Sequence, residues 1–593
     1  MTRHLLAAAC LLLTAGVARA RADCPPGTDV TLWVGPAAPA ADAPLRIVAL
    51  AERGIPGGIV VTDPQGHTLT PAPIVHGGPP WSIVTSIDDP TPGPYRIEVR
   101  RDGVVVACRL LDLPATAARR AVTWEGRTAW DRATTALYAV WIEHLFGADT
   151  GQATTLHGLA DVLQDPQRNF LYEHLRLGED EPGPRALALT PDCADLPYFL
   201  RAYFAWKLDL PFGMRACGRG GGDTPPTCGQ LITNARAASG GDALAGFERF
   251  LRAVADTAQS GSVRTALDDD ATDYYPVALT RETLRPGTIF ADPYGHTLML
   301  VRWVPQTPER AGLILAVDAQ PDNSMGYKRF WEGTFLFAEE PGAGPGWKAF
   351  RPLVRTPSGM RALDNDELDA DGDFTPWSDE QATLAADDFY ARMASLINPD
   401  GLPPGRAYDT TLDALVEQVE TRIGSVDTGE QWTRAHPGVT IPMPSGATIF
   451  ETTGPWEDYA TPSRDMRLLI AMHVLETLPA RIVRYPELFV LQGRSPAEVR
   501  DALETVHARR VRERSVTYTR SDGSPWTLTM ADVLARRAAF TMAYNPNDCV
   551  EVRWGAPEDG PERTPCRRRA PAEQRSRMEQ YRTWFATMRR PSR

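Results

Sequence analysis

Cys193, His296 and Asp318 are the residues whose types and order suit nucleophilic chemistry on an acyl group. A thiolate attacks the acyl carbon, an imidazole pairs with the thiolate and later protonates the leaving group, and a polar side chain orients the imidazole. Cys193 stands in Thr190-Pro-Asp-Cys193-Ala-Asp-Leu-Pro197, at the start of an apolar run with helical spacing. The partial positive charge of a helix N-terminus favours a thiolate there. His296 opens a strand-like run, Thr297 to Trp303, and the next such run, Leu313 to Gln320, carries Asp318 near its end. Asp318 is the first choice of orienter, with Gln320 and Asn323 behind it. For an oxyanion, the Cys193 backbone N–H offers one donor, and no glutamine lies just upstream to offer a second.

The cysteine count leads to the same thiol. Arg3 and His4, an apolar run from Leu5 to Gly16, and small residues up to Ala22 read as a secretory leader over residues 1–22, which would remove Cys10. Seven cysteines then remain. Locality pairs Cys24 with Cys108, Cys217 with Cys228 and Cys549 with Cys566, leaving Cys193. A free thiol in an oxidising compartment is a candidate nucleophile. Two other fates fit the count: a buried inert thiol, or a pairing of Cys193 with Cys217 or Cys228.

With 593 residues, 43% hydrophobic and 23% charged, the chain is expected to fold as several globular domains. The net charge of −13 argues against a nucleic-acid partner. Ten Arg against three Glu in the last 33 residues read as a solvated helix face around 573–588. After the leader, no apolar run reaches the roughly 18 residues of a membrane span. The expectation is an exported protein, whether periplasmic, cell-surface or extracellular, without a transmembrane segment. No cofactor and no metal are expected, because no His or Cys group has zinc spacing. Glu367-Leu-Asp-Ala-Asp-Gly372 has the alternation of a calcium loop, but Ser378 stands where the bidentate Glu belongs.

Three regions follow the leader. Residues 23–115 read as an all-β sandwich, with strands at Thr31–Val34, Leu45–Leu50, Gly58–Thr62, Trp81–Ile87, Tyr95–Val99 and Val104–Leu113. Asp102-Gly103 is a two-residue hairpin signal, and His67 and His76 fall in turn-rich loops. Residues 116–355 read as an α+β domain with an insertion at about 217–285. Helices are expected at Trp130–Phe146, Thr155–Leu163, Asn169–Leu177 and from Asp192–Leu196 onward, with the last burying an apolar face. Residues 356–593 read as mostly helical, including Ser463–Glu476, where Ser463 can cap the helix and Asp465 suits its first turn.

The order Cys on a helix, His opening a strand, polar residue on the following strand resembles the papain-like cysteine hydrolases. Asp192-Cys193 resembles the Asp-Cys that starts the catalytic helix of the NlpC/P60 peptidases, and Pro286 to His296 resembles their strand ending in Gly-His. His296 with Trp303, followed by Val317-Asp318, is similar to the transglutaminase-like branch. The likeness covers Leu187 to Asn323. The chain departs from it at Ala194-Asp195, where Ser-Gly is usual, and lacks the papain Cys-Trp pair. Pro92-Gly-Pro-Tyr-Arg-Ile-Glu-Val is similar to late strands of bacterial immunoglobulin-like domains. These resemblances imply an immunoglobulin-like sandwich, a papain-like central domain, and a thiol-dependent hydrolase or acyl transferase acting on amide bonds. The implied partner is a peptide or protein substrate, with the cell-wall peptide of peptidoglycan natural for the compartment. The alternative is a non-catalytic envelope or surface binding protein on the same scaffold.

Overall fold

The computed structural model describes residues 24–591 apart from 119–120, 148–154, 157, 184–185, 188, 219, 221–223, 237–241, 265, 267, 321–323, 339–343, 345 and 451–453. The expected leader and Asn323 lie outside the described residues. The layout is multidomain, with antiparallel sheets dominating the N-terminal region and helices the C-terminal one. One compact unit comprises 1–305, 312–330 and 338–385, and a second comprises 306–311, 331–337 and 386–593.

The first unit opens with eight strands: β1 Thr31–Gly35, β2 Leu45–Ala51, β3 Gly58–Thr62, β4 Thr68–Leu69, β5 Ile74–His76, β6 Trp81–Ile87, β7 Gly93–Arg101 and β8 Val104–Leu113. They form two antiparallel sheets, ordered β1-β2-β6-β5 and β4-β3-β7-β8. Ile47, Ala49 and Ile83 from one sheet and Val61, Ile97 and Val99 from the other share one core. Burying those side chains from both sheets is the main force holding the two layers. Asp102 and Gly103 both have positive φ, 51° and 80°, as the tight turn between β7 and β8 requires. Cys24 is bonded to Cys108, which ties the first segment to β8.

His76 corrects the loop expectation. It ends β5, is buried, and places Nε2 3.1 Å from Nδ1 of His144. Burial pushes both imidazoles down, to about 3 for His76 and about 4 for His144, so the pair is neutral at physiological pH.

The rest of this unit is built on a seven-stranded sheet. To the short β9 Thr155–Leu156 it adds β12 Tyr274–Pro276, β13 Ile289–Ala291, β14 Thr297–Val304, β15 Leu313–Ala319, β16 Met325–Arg329 and β17 Gly346–Phe350. The order is β12-β17-β13-β14-β15-β16-β9. Two further strands, β10 Gly213–Cys217 and β11 Cys228–Thr233, form a hairpin closed by the Cys217–Cys228 bond. Helices Arg132–Leu145, Asp195–Lys207 and Ala243–Ala255 contribute to the core shared with Met299, Leu315 and Val317.

Two helical expectations fail here. Thr155–Leu163 divides into β9 and a helix over Leu159–Leu163. Asn169–Leu177 is a series of turns. The Asn169 side chain accepts from the Leu171 N–H (3.0 Å) and the Trp141 indole (3.0 Å) and donates to the Tyr203 hydroxyl (2.9 Å). Such side-chain bonds to nearby backbone compete with helix formation.

Lys348 sits within this sheet, opposite Pro276 on one side and Ile289 on the other, and is 1% exposed. Burial pushes its ammonium down to about 7. A lysine whose pKa falls on folding costs stability fully below its folded value, and the cost fades as pH rises towards the unfolded value near 10.4. Lys348→Met is therefore expected to stabilise the first unit by about 2–4 kcal/mol at pH 7, and by much less at pH 10. Calorimetry at the two pH values checks this, and an equal gain at both would refute it.

The second unit holds the helices Ala386–Ile397, Pro404–Ala435, Pro462–Arg484, Pro496–Glu513 and Ala572–Ala586. A hairpin of β18 Ser515–Thr519 with β19 Pro525–Thr529 has no counterpart in the sequence reading. Cys549 is bonded to Cys566. The helix expected from Ser463 starts at Pro462 after Thr461, with Ser463 inside it, and Asp465 lies in its first turn, fully buried. Among the described residues, no helix is long and apolar enough to cross a membrane.

Candidate functional site

The start of the Cys193 helix is set by Asp192. Its Oδ1 accepts from the N–H groups of Ala194 (2.8 Å) and Asp195 (3.0 Å), and its carbonyl accepts from Leu196 N–H (3.1 Å). The Asp195 carboxylate reaches back towards the Asp192 N–H at 3.5 Å. Asp192 thus acts as an N-cap with Asp195 closing the box, and Cys193 occupies the first turn between them. Burial, followed by repulsion from Asp192, pushes the Asp195 carboxyl up to about 7. Pro197 costs nothing at this point, because first-turn N–H groups have no helical acceptor.

Every residue from Asp195 to Lys207 is buried, so the helix is enclosed on all sides rather than along one face. Its polar members are matched locally. Lys207 lies between Glu179 and Asp180, both 2.5 Å away, and Arg201 stacks on Trp130.

His296 is set by the turn between β13 and β14. Asp292 Oδ1 accepts from the N–H groups of Tyr294 (2.7 Å) and His296 (2.9 Å), and Asp292 N–H donates to the His296 carbonyl (2.9 Å). Gly295 has φ +99°, and a Cβ there would lie 2.7 Å from Ser260 Oγ, so the turn demands glycine.

These elements bring the three residues together. Asp318 Oδ2 lies 3.1 Å from His296 Nε2, which leaves Nδ1 as the ring nitrogen for the Cys193 side. Cys193 is within hydrogen-bonding reach of the ring. Burial by itself would lower the imidazole pKa. The adjacent Cys193 charge and the Asp318 hydrogen bond outweigh it and hold the imidazolium up to about 10. His296 keeps 22% of its side chain exposed, whereas Asp318 keeps 2%. Cys193 is partly exposed and is the free cysteine among three disulfides. Its backbone N–H meets no acceptor among the described residues, so it stands available to an oxyanion.

Two further side chains hold Asp318: Gln320, expected as an alternative orienter, and Lys328, which had no sequence signal of its own. Gln320 is two residues beyond Asp318 on the same face and donates from Nε2 to Asp318 Oδ2 at 2.8 Å, so it clamps the orienter. Lys328 Nζ lies 3.5 Å from Asp318 Oδ1 and supplies a counter-charge from the neighbouring strand β16. A buried carboxylate needs such partners to remain ionised. Gln320 thus holds the orienter rather than orienting His296 itself, and only the β15–β16 register identifies Lys328.

The calcium-loop reading does not survive. Asn365–Ala370 is a helix capped by Asp364, and Glu367 accepts both from the Asp364 N–H and from Arg361 at 2.6 Å. Among the described residues, two groups of ligand-type side chains are close enough to share an ion. One is the Cys549–Cys566 disulfide with Glu551, and the other is Glu173, Glu179 and Asp180, of which Glu179 and Asp180 already hold Lys207.

Comparison with known proteins matches no family model to this chain and no curated protein to it.

Proposed function

We propose that this chain is an exported thiol-dependent hydrolase or acyl transferase acting on amide bonds of a peptide or protein, with Cys193 as nucleophile, His296 as base and acid, and Asp318 as orienter. The observation that carries the reading is the Asp318–His296–Cys193 chain around a partly exposed thiol, in a protein whose other described cysteines are bonded. Three disulfides fit an oxidising environment and hence export. The N-terminal sheets fit an immunoglobulin-like sandwich, and the helix followed by antiparallel strands fits a papain-like domain.

In this mechanism the Cys193 thiolate adds to the amide carbon, and the developing oxyanion is met by the Cys193 N–H. His296 gives its proton to the leaving nitrogen as the C–N bond breaks, which leaves a thioester and a neutral imidazole. Water, or an amine in a transferase, then attacks the thioester while His296 takes its proton. Departure of the thiolate restores the ion pair. The Asp318 carboxylate stays ionised throughout and keeps Nδ1 aimed at the sulfur.

The test is alkylation of the native protein with limiting iodoacetamide from pH 4 to 9, with the site mapped by mass spectrometry. Fast labelling of Cys193 alone is expected. Labelling only after denaturation, or recovery of Cys193 in a disulfide, overturns the enzyme reading and leaves a non-catalytic binding protein on the same scaffold.

A further inference from the structure

The turn that ends at His296 is held from outside as well as from within. Its own Asp292 sets its shape through the N–H groups of Tyr294 and His296. Bonds inside a turn do not fix its tilt, however, and this one projects beyond the last β13–β14 pair, Ala291 with Thr297. The outside support is residues 259–264, part of the stretch expected as an insertion at about 217–285. They fold around a 3₁₀ turn over Ser260–Ser262, in which the Ser262 N–H donates to the Gln259 carbonyl at 2.8 Å. Arg264 Nη1 donates to the Pro293 carbonyl at 3.0 Å. The Ser260 side chain lies against Gly295, where an added Cβ would stand 2.7 Å from Oγ and 3.1 Å from Cβ. These contacts pin the turn on both sides of Tyr294, and His296 is the next residue along.

The support is itself anchored. Arg264 is 3% exposed, and Val263 beside it is fully buried in the core that also holds the Cys193 helix. A guanidinium immobilised by burial gives up little further freedom when it bonds a carbonyl, and a charged donor makes the stronger bond. At the other end, Gln259 Nε2 donates to the carbonyl of Cys217, the residue bonded to Cys228 across the β10–β11 hairpin. A continuous path therefore runs from the disulfide hairpin through residues 259–264 to the turn that carries His296.

We infer that residues 259–264 are a strut that positions His296, with Arg264 and Ser260 fixing the tilt of its turn so that the imidazole meets Asp318 and Cys193 at once. The inference rests on the roles proposed above for Cys193 and His296. The imidazole must serve two partners from one place, with Nε2 3.1 Å from Asp318 and the other ring nitrogen on the Cys193 side. A misplacement of about 1 Å in such an arrangement costs on the order of 10²-fold in rate. Arg264 acts through the backbone of the turn, so it is a positioning residue and not a catalytic one.

Nuclear magnetic resonance of the full chain carrying nitrogen-15 histidine reads the imidazole directly, with the His296 signal assigned by its absence in His296→Gln. Cys193 and Asp318 hold the wild-type imidazolium up to about 10, and a tilted turn forfeits part of that support. In Arg264→Met the His296 midpoint is expected to fall by about 1 pH unit, and iodoacetamide labelling of Cys193 at pH 7 to slow by about 10-fold. Arg264→Lys keeps a cationic donor and should recover most of both. Lost packing by itself would lower the melting temperature and leave the His296 midpoint in place, so that result overturns the proposal. A lysine variant no better than the methionine one also overturns it. Wild-type Cys193 that labels only after denaturation overturns the catalytic reading and this inference with it. Fast wild-type labelling that is unchanged in Arg264→Met overturns this inference alone. Should Arg264→Met not fold, Gln259→Leu releases the other end of the strut, and an unmoved His296 midpoint there is equally decisive against it.

Discussion

Replacing His296 by alanine is expected to slow alkylation of Cys193 at pH 7 by about 10²-fold and to abolish amide turnover. The expectation rests on the charge held at the imidazole. The Cys193 charge and the Asp318 hydrogen bond overcome burial and hold the pKa up to about 10. A raised folded value means that the stabilisation from this charge is complete below the ordinary histidine value near 6.5 and is lost as pH rises through about 10. Turnover should therefore show an alkaline limb near pH 10, where a neutral imidazole can no longer protonate the leaving nitrogen. Asp318→Asn keeps the size and a polar contact but removes the charge, so the alkaline limb should move to lower pH. Stopped-flow alkylation and a pH–rate profile read both effects. Unchanged labelling in both variants would mean that Cys193 reacts as an ordinary surface thiol.

The second large effect concerns the second unit. Asp465→Ala is expected to destabilise it by about 3–5 kcal/mol, lowering its melting midpoint by roughly 10 °C. Arg422 and Asp465 are both fully buried and meet side-on, Nε to Oδ1 at 2.7 Å and Nη2 to Oδ2 at 3.1 Å. Nη2 also donates to the Arg553 carbonyl at 2.8 Å. Removing the carboxylate strands a guanidinium next to Arg553, whose own pKa is pushed down to about 9 by burial first and then by Arg422. The loss reflects the stranded charge rather than the worth of the pair, so the double variant Arg422→Met/Asp465→Leu should recover most of it. A single variant that melts like the wild type, or a double variant no better than the single, would show that the charge is solvated after all.

Short-range features were legible in the sequence. Asp102-Gly103 makes its hairpin because both positions need positive φ, and Asp192 starts the Cys193 helix because a carboxylate at that spacing caps two N–H groups. The three disulfides follow from parity and proximity along the chain. The order Cys193, His296, Asp318 was also readable, since each residue adjoins a recognisable helix start or strand.

Where local signals competed with packing, the reading failed. Asn169 was placed in a helix but uses its amide to join Trp141, Tyr203 and its own backbone, and His76 was placed in a loop but pairs with His144 in the core. Asp465 suits the first turn of its helix, and only the approach of the helix carrying Arg422 makes it a buried counter-charge. The same holds for Lys328 on Asp318. Caps, turns and cysteine pairs are set by neighbours a few residues away or by covalent parity, so the sequence by itself determines them. Which charge meets which depends on surfaces that come together from tens of residues apart or across strand registers, and only the tertiary structure decides that.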